Sequence, residues 1–313
     1  MARNIAVHSD STDRHLRDSV RRPAWRSWLR ALRPHHWAKN ALMFLPAMAA
    51  HLAPSLPLAL RLLGGFAAFS ALASAVYLLN DIADLESDKL HPSKRLRPVA
   101  SGEISTRRAS VVAIFLIAVS AALAVLLPWE FVVVLVAYFV ITSAYSLGLK
   151  KRLIVDVITL ATLYTLRIIA GATLAEVPLS RWFLAFSIFL FLSLSLVKRT
   201  VELRDAGARQ VDQISGRGYR PEDLPILGSL GTATAVASAL VYCLYITGED
   251  VLTLYSRPDV LWLGLPLFLY WIARLWVLAV RGSLHEDPVA FALGDRVTWA
   301  VLGAFFLTVL LAT

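Results

Sequence analysis

The sequence has little of what disulfide or zinc sites require. It contains one cysteine, Cys243, inside an apolar run, which excludes a disulfide scaffold and a CxxC metal site. None of its 7 histidines is paired at HxxxH spacing, so we assign no zinc. The first 39 residues are polar and basic and lack the continuous apolar run of a secretory signal peptide, so we expect no such peptide.

Acidic residues are also few. The 31 Lys and Arg against 22 Asp and Glu give a formal net charge of +9, which by itself would suggest a nucleic-acid partner. The basic residues lie between apolar runs, however, as they do in membrane proteins that follow the positive-inside rule. The sequence therefore predicts a membrane partner and no nucleic acid.

Apolar residues make up 58% of the chain, against roughly 45–50% in a soluble domain, and the mean hydropathy is +0.63. The excess comes in long runs, which indicates an all-α integral membrane protein, since a span needs about 20 apolar residues. Nine candidate spans are 39–53, 58–80, 109–127, 130–149, 153–173, 181–198, 224–247, 259–280 and 290–312.

The distribution of basic residues predicts the topology. If the N-terminus is cytoplasmic, the turns on the opposite side contain only two basic residues, Arg181 and Arg257. The positive-inside rule requires such an asymmetry. We therefore expect a bundle of nine transmembrane helices with a cytosol-facing polar cap. Such a chain is a multi-pass protein of the inner (plasma) membrane with its active site facing the cytoplasm. A one-sided site of this kind suits an enzyme better than a channel or transporter.

The N-terminal segment differs from the rest of the chain. Trp25, Trp28, Leu29 and Leu32 recur at i, i+3, i+4 and i+7 with arginines between them, which predicts a short amphipathic helix. Such a helix either binds an anionic lipid surface or serves as a simple positive-inside anchor. We expect two domains: a basic cytoplasmic segment, 1–38, and a membrane catalytic domain, 39–313.

One polar stretch, 80–102 (NDIADLESDKLHPSKRLRPVASG), stands between two apolar runs. Asp81, Asp84 and Asp88 share one broad face if the preceding helix continues. Like charges so close repel each other near a low-dielectric wall, and a divalent cation removes that cost. Oxygen ligands favour Mg²⁺, which completes its coordination with water and substrate phosphates. The alternative is a solvated helix end before a positive-inside loop.

The loop after the aspartates supplies donors for phosphate oxygens: Lys94, Arg95 and Arg97. The combined pattern, NDxxDxxxD followed by HPxKRxRPxASG, resembles the first signature of the UbiA-type superfamily of intramembrane prenyltransferases, which are nine-helix membrane enzymes. The resemblance implies that a metal site formed by Asn80, Asp81, Asp84 and Asp88 holds Mg²⁺ and a diphosphate.

A second polar cluster, VKRTVELRDA, contains Lys198, Arg199 and Glu202. Superfamily members that prenylate aromatic acceptors usually carry a second aspartate-rich motif at this place. Two acidic clusters suit two or more magnesium ions, whereas a Lys-Arg pair suits direct contact with a phosphate. The cluster is therefore a candidate substrate site.

The KRxxEL pattern resembles the decaprenyl-phosphate phosphoribosyltransferase branch of the superfamily. RPHHWAKN, AYSLGLKKRLIVD, LRIIAGA and EDPVAFALGDR are also similar to that branch, and the resemblance covers nearly the whole chain from Leu32 onward. It implies 5-phosphoribosyl 1-diphosphate as the donor and a polyprenyl phosphate as the acceptor. The nucleophile would be a phosphate oxygen that is already anionic, so no general base is required.

Several single residues complete the candidate site. Lys39 and Lys150 are candidates for phosphate contact, with snorkelling as the alternative for Lys39. Tyr145 sits beside Lys150 at one helix end, and Arg296 begins the last predicted helix next to Asp295, an acid typical of a helix start.

Arg167 lies deep in a predicted span, where a charge is often functional; snorkelling and pairing with Glu176 are the alternatives. Asp156 is open between metal binding and pairing with the basic residues at 150–152.

Two other functions are alternatives. The first uses the same aspartates, and the second uses none of them. A conventional prenyltransferase would move a polyprenyl group from its diphosphate to an aromatic or other acceptor. A non-enzymatic lipid carrier would need a path to both sides of the membrane, which the short outer turns do not supply. The sequence is compatible with a homo-oligomer and does not fix the isoprenoid length.

Overall fold

The computed structural model describes residues 24–90, 94–208, 218–284 and 287–313. These residues are helical, as predicted, and contain no strand. They divide into two compact units: unit 1 comprises 24–37 and 70–119, and unit 2 comprises 38–69 and 120–313, without the gaps above.

Long apolar helices dominate the described ranges, joined by short 3-10 turns. The α-helices are α1 (Ala24–Leu32), α2 (Leu45–Ala49), α3 (Leu56–Ala83), α4 (Leu85–Leu90), α5 (Thr106–Val125), α6 (Trp129–Leu147), α7 (Val155–Ala175), α8 (Arg181–Ala208), α9 (Leu224–Ile246), α10 (Glu249–Leu254), α11 (Gly264–Arg281), α12 (Pro288–Gly294) and α13 (Arg296–Ala312). The 3-10 helices are Pro34–Phe44, Lys94–Leu96, Leu149–Lys151, Pro221–Asp223 and Pro258–Leu263.

Seven of the described helices are long and apolar enough to cross a membrane, and the number is eight if α12 and α13, which meet at an angle of 82°, form one broken span. The chain is thus an all-α, multi-pass membrane protein. The first candidate span, 39–53, is not among these helices. It coincides with the end of the 3-10 helix Pro34–Phe44 and with the five-residue α2.

Unit 1 is built around the start of α5 and the last part of α3. Small residues such as Ala31, Ala75 and Ala109 are fully buried there and allow the helices to approach closely. The predicted amphipathic helix exists as α1. Its Trp28 and Leu32 pack on this core, whereas Trp25 and Leu29 are exposed, so only half of the predicted apolar face is used inside the protein.

Unit 2 has a core formed by α7, α8, α9 and α11. Polar groups inside it pair with each other: the Trp276 indole donates to Ser193 Oγ at 3.0 Å, and Ser193 donates to the Gly231 carbonyl at 2.8 Å. Gly231 is required here, because a Cβ at this position would lie 2.0 Å from the Trp276 ring. Buried polar groups paired in this way fix the register of neighbouring helices.

Candidate functional site

The aspartates of unit 1 follow each other on a nearly continuous helix. Asp81 lies in the last turn of α3, Asp84 in the single-residue break, and Asp88 in α4. Helical hydrogen bonding continues through the break, since the Asp84 amide donates to the Asn80 carbonyl at 2.9 Å and the Asp88 amide to the Asp84 carbonyl at 2.8 Å. The predicted continuation of the helix is confirmed.

Two arginines bind the buried aspartates. Arg33 donates to Asp81 Oδ1 at 2.7 Å, and Arg97 donates to Asp88 Oδ2 at 2.6 Å while lying 3.3 Å from Asp81 Oδ1. Asp81 and Asp88 are each only 2% exposed. Arg97 therefore bridges two buried carboxylates whose mutual repulsion would otherwise destabilise this helix end.

Arg33 was not among the predicted site residues. It follows α1 with a left-handed backbone (φ 52°), a conformation that costs a non-glycine residue about 1 kcal/mol or more. Its guanidinium stacks over the Tyr77 ring at 5.0 Å and reaches Asp81. The strained turn is thus offset by the contacts it makes possible.

The aspartate cluster retains an unused ligand atom. Asp81 Oδ2 is buried and accepts no hydrogen bond from the residues that the structure describes; such an orphaned oxygen costs stability unless a cation satisfies it. Within the described ranges no three His, Cys, Asp or Glu side chains are close enough together to hold a metal ion. A magnesium ion fits this donor set nevertheless, because it needs only one or two carboxylates.

The remaining unit 1 candidates lie around these carboxylates in the chain. Asn80, Asp84 and Lys94 are half-buried, and Arg95 is exposed. Of the predicted phosphate donors, Arg97 contacts Asp81 and Asp88. The metal and phosphate roles of these residues stay predictions.

In unit 2, Lys39 and Lys198 meet at Asp287. Both ammonium groups lie 2.9 Å from Asp287 Oδ2. Burial alone raises the pKa of this carboxyl, but Lys198 and then Lys39 outweigh burial and hold the pKa well below its ordinary value. The carboxylate therefore stays charged throughout the neutral range, which keeps both lysines in place.

The environment of Arg167 differs from both alternatives raised by the sequence, which were snorkelling and pairing with Glu176. Its Nε donates to Asn40 Oδ1 at 2.8 Å and its guanidinium to the Tyr138 hydroxyl at 3.2 Å. Three aromatic rings surround it within 6 Å, among them Tyr164. Pairing with Glu176 is wrong, because Glu176 pairs with Arg61.

Arg199 is fully buried and its donors are used by the protein. Its Nε donates to Asp156 at 2.7 Å, and its two terminal nitrogens donate to Glu202 and to the Tyr145 hydroxyl. The structure thus brings together three residues predicted to contact substrate, but here Glu202 and Tyr145 both accept hydrogen bonds from Arg199. Their direct contact with substrate stays a prediction, and a positioning role fits this geometry better.

Tyr219 completes this cluster. It donates to Asp156 at 2.7 Å and accepts from the Ile154 amide at 3.0 Å. Burial, followed by the hydrogen bond to the Asp156 carboxylate, raises the pKa of the Tyr219 hydroxyl. Neither Tyr219 nor Arg199 was predicted as a partner of Asp156.

Two further candidates belong to unit 2. Lys150 is half-buried in the turn Leu149–Lys151, and Arg296 is exposed at the start of α13. Asp295 caps α13 by accepting from the Thr298 amide at 2.9 Å, which confirms the predicted helix-start acid. Arg274 binds the same carboxylate at 2.6 and 3.1 Å.

Comparisons with known proteins agree with this architecture. The family model described as the UbiA prenyltransferase family matches residues 41–301. The chain is 38% identical over 277 residues to uncharacterized protein y4nM of Sinorhizobium fredii; the match covers 88% of this chain but only 54% of that protein, so the chain spans about half the length of this relative. It is 32% identical over 298 residues to decaprenyl-phosphate phosphoribosyltransferase of Mycobacterium tuberculosis, covering 90% of this chain and 92% of that protein.

A solved structure shares the fold. A UbiA homolog from Archaeoglobus fulgidus bound to GPP and Mg²⁺ superimposes with a TM-score of 0.68 at 17% identity, over 90% of this chain and 99% of that chain. The fold and the family match together define a multi-pass membrane transferase. The chain belongs to the UbiA prenyltransferase family, which confirms the resemblance carried by the aspartate motif.

Proposed function

We propose that this enzyme transfers a phosphoribosyl group from 5-phosphoribosyl 1-diphosphate to a polyprenyl phosphate and releases diphosphate. The observation that carries the proposal is the basic character of the second cluster, where Lys198 and Lys39 converge instead of several aspartates. Cations at this place suit a phosphate that is bound directly. The 32% identity to a decaprenyl-phosphate phosphoribosyltransferase over nearly the whole chain supports the same substrates.

The unit 1 cluster would bind the leaving diphosphate. Asp81, Asp84 and Asp88, with Asn80, would hold Mg²⁺, and the unpartnered Asp81 Oδ2 is the atom best placed to accept it. When bound, Mg²⁺ supplies positive charge that stabilises the departing diphosphate. The basic residues after α4 would donate to the remaining diphosphate oxygens: Lys94, Arg95 and Arg97.

The chemical step needs positioning and electrostatics. An oxygen of the polyprenyl phosphate attacks the anomeric carbon of ribose, and the bond from that carbon to the diphosphate oxygen breaks with its electron pair on the diphosphate. Positive charge develops at the sugar ring, as in glycosyl transfer. Because the nucleophile is an anion at neutral pH, the protein supplies no base, and its charged side chains orient the reactants.

The other candidate residues take supporting roles in this proposal. Lys198 and Lys39 contact a phosphate, while Arg199, Glu202 and Tyr145 position the end of α8 that carries Lys198. Lys150 and Arg296 are further candidate phosphate donors.

We also propose the topology. The spans number nine if α12 and α13 form one broken span and the segment from Pro34 to Ala49 also crosses the membrane. At ordinary rises of 3-10 and α-helices this segment is about 30 Å long, the thickness of a hydrocarbon core. The N-terminal segment 1–38 is then cytoplasmic up to the start of this crossing at Pro34, the catalytic domain 39–313 spans the inner membrane, and the active site opens to the cytoplasm. A homo-oligomer is compatible with this arrangement.

A second candidate function is prenyl transfer from a polyprenyl diphosphate to an aromatic or other acceptor. The aspartate motif and the GPP-bound fold relative favour it, and it uses the same Mg²⁺ site. A lipid carrier without catalysis is disfavoured by membership in a transferase family.

One assay separates these functions. Purified protein in lipid nanodiscs receives Mg²⁺, polyprenyl phosphate and 5-phosphoribosyl 1-diphosphate labelled in the ribose, and the lipid is then extracted. We expect label in the lipid fraction. Unlabelled lipid, together with active prenyl transfer from a prenyl diphosphate, would reject phosphoribosyl transfer in favour of the second candidate.

A further inference from the structure

Two lysines from distant parts of unit 2 converge on a single carboxylate oxygen. Lys39 belongs to the 3-10 helix Pro34–Phe44, Lys198 to α8, and Asp287 precedes α12. Both Nζ atoms lie 2.9 Å from Asp287 Oδ2, and the three side chains are only 14%, 29% and 11% exposed. Little water is therefore available to screen these charges.

The charges around Asp287 do not balance. Lys39 and Arg167 both lie on the Tyr164 ring, with Nζ 5.5 Å and Cζ 5.7 Å from its centroid. In the part of the chain that the structure describes, Arg167 donates only to neutral groups and has no carboxylate at ion-pair distance. Among the described residues, Lys39 and Lys198 thus share the single Asp287 carboxylate, and a second negative charge would lower the energy of the cluster.

Asp287 uses its two oxygens for different tasks. Oδ1 accepts from the Val289 amide at 3.1 Å and caps α12, while Oδ2 takes both lysines. Helix capping explains Oδ1. It does not require two lysines from other elements to meet at Oδ2, so the convergence needs another explanation.

We propose that Lys39 and Lys198 form a binding site for a phosphate monoester, and that Asp287 Oδ2 holds the place of a phosphate oxygen until the ligand arrives. A phosphate monoester carries a charge of about −1.5 to −2 at pH 7, which matches two ammonium groups better than one carboxylate does. Asp287 stabilises the lysines in the ligand-free enzyme and yields them to the phosphate, while Oδ1 continues to cap α12.

This inference rests on the proposed function for the source of the phosphate. Both proposed substrates carry a phosphate monoester: the 5-phosphate of the sugar donor and the phosphate of the polyprenyl acceptor. The site would recognise the same chemistry in either, and the experiment distinguishes them by using one probe for each.

The test measures binding without turnover. Full-length protein in nanodiscs, with a chelator to remove divalent metal, is titrated calorimetrically with ribose 5-phosphate and, separately, with geranyl phosphate. The variants are Lys39→Met, Lys198→Met and Asp287→Asn. Asparagine caps helices as well as aspartate does, so Asp287→Asn removes the charge and keeps the cap. The control is Glu176→Gln, which neutralises another carboxylate paired with a cation, Arg61.

We expect each lysine variant to weaken the binding of at least one probe about tenfold or more. Asp287→Asn should tighten binding of that same probe several-fold, a gain that misfolding cannot produce, and Glu176→Gln should leave it unchanged. The probe that responds identifies the substrate whose phosphate binds here. A response of both identifies a general phosphate-monoester site.

Two results would overturn the inference. One is binding of both probes by the lysine variants with the affinity of the unmodified protein. The other is weaker binding by Asp287→Asn, which would make Asp287 a structural partner of the lysines. If the expected binding pattern appears but labelled phosphoribose is not transferred to lipid, the proposed function fails and the phosphate site stands.

Discussion

Arg199 Nε donates a 2.7 Å hydrogen bond to Asp156 Oδ2, and both side chains are completely excluded from solvent. The other Asp156 oxygen accepts from Tyr219, so this carboxylate joins α7, α8 and the segment before α9. Buried ion pairs gain little relative to apolar packing, but the loss of one partner leaves an uncompensated charge. The pair therefore fixes where the end of α8 lies.

The first prediction follows from that asymmetry. Asp156→Asn should destabilise the protein by about 3–5 kcal/mol, because the buried Arg199 then keeps only Glu202, whose side chain is 30% exposed, as its charged partner. The measurement is the unfolding temperature in detergent. Glu176→Gln, whose carboxylate is 64% exposed, is the matched control and should change stability by less than about 1 kcal/mol. Equal unfolding temperatures for the two variants would contradict the structural role assigned to Asp156.

The second prediction concerns the aspartate cluster. Asp81→Asn and Asp84→Asn should abolish transfer while the protein still inserts into membranes, because both remove a charge that would hold Mg²⁺. Turnover and membrane content are measured together. Glu86 lies on α4 among the same aspartates but is exposed and paired with Lys89, so Glu86→Gln should keep normal activity. Near-normal turnover in both aspartate variants would show that the magnesium assignment is wrong.

Much of the fold could be predicted because apolar runs mark membrane helices directly. The candidate span 58–80 lies within α3, and 224–247 nearly coincides with α9. The predicted end at 198 is too early, since α8 continues to Ala208. Charged residues there look like a loop in sequence, but Arg199 and Glu202 pair three residues apart on the helix.

Local and distant contacts differ in how well the sequence predicts them. Asp81, Asp88 and Arg97 are close in the chain: helical spacing grouped the two aspartates, and Arg97 was assigned to the basic loop that follows them. Lys39 and Asp287 are 248 residues apart in the chain. A single sequence contains no signal that two residues so far apart are in contact. The segment EDPVAFALGDR did mark the region of Asp287, but spacing alone would have assigned this aspartate only to a helix start.

The third prediction concerns competition between Arg97 and the metal. The Arg97 guanidinium lies 2.6 Å from Asp88 Oδ2 and offsets part of the cluster's negative charge without a metal, so a cation that binds both Asp81 and Asp88 must displace it. Arg97→Met should therefore tighten metal binding about tenfold and lower turnover if Arg97 also contacts diphosphate. Binding is measured with Mn²⁺ alone by electron paramagnetic resonance.

The control for that experiment is Arg108→Met, an exposed arginine at the start of α5. Arg108→Met removes the same charge from unit 1. Solvent and salt screen the Arg108 charge, because this side chain is exposed. Its Mn²⁺ affinity should remain that of the unmodified protein. If Arg97→Met binds Mn²⁺ more weakly, Arg97 supports the metal site and does not compete for it.

The last prediction tests the position of the segment that carries Lys39 and Asn40. A Cβ at Gly171 in α7 would lie 2.0 Å from the Met43 carbonyl oxygen. Because the obstacle is backbone and not a flexible side chain, Gly171→Ala must displace the 3-10 helix and weaken the hydrogen bond from Arg167 to Asn40. We expect Gly171→Ala to lower the free energy of unfolding by at least about 1–3 kcal/mol, measured by unfolding temperature, and to reduce transfer.

The control is Gly303→Ala in α13, which meets open space and should be neutral or stabilise the helix by up to about 1 kcal/mol. Equal behaviour of the two alanine variants would show that Gly171 is not what allows this close approach.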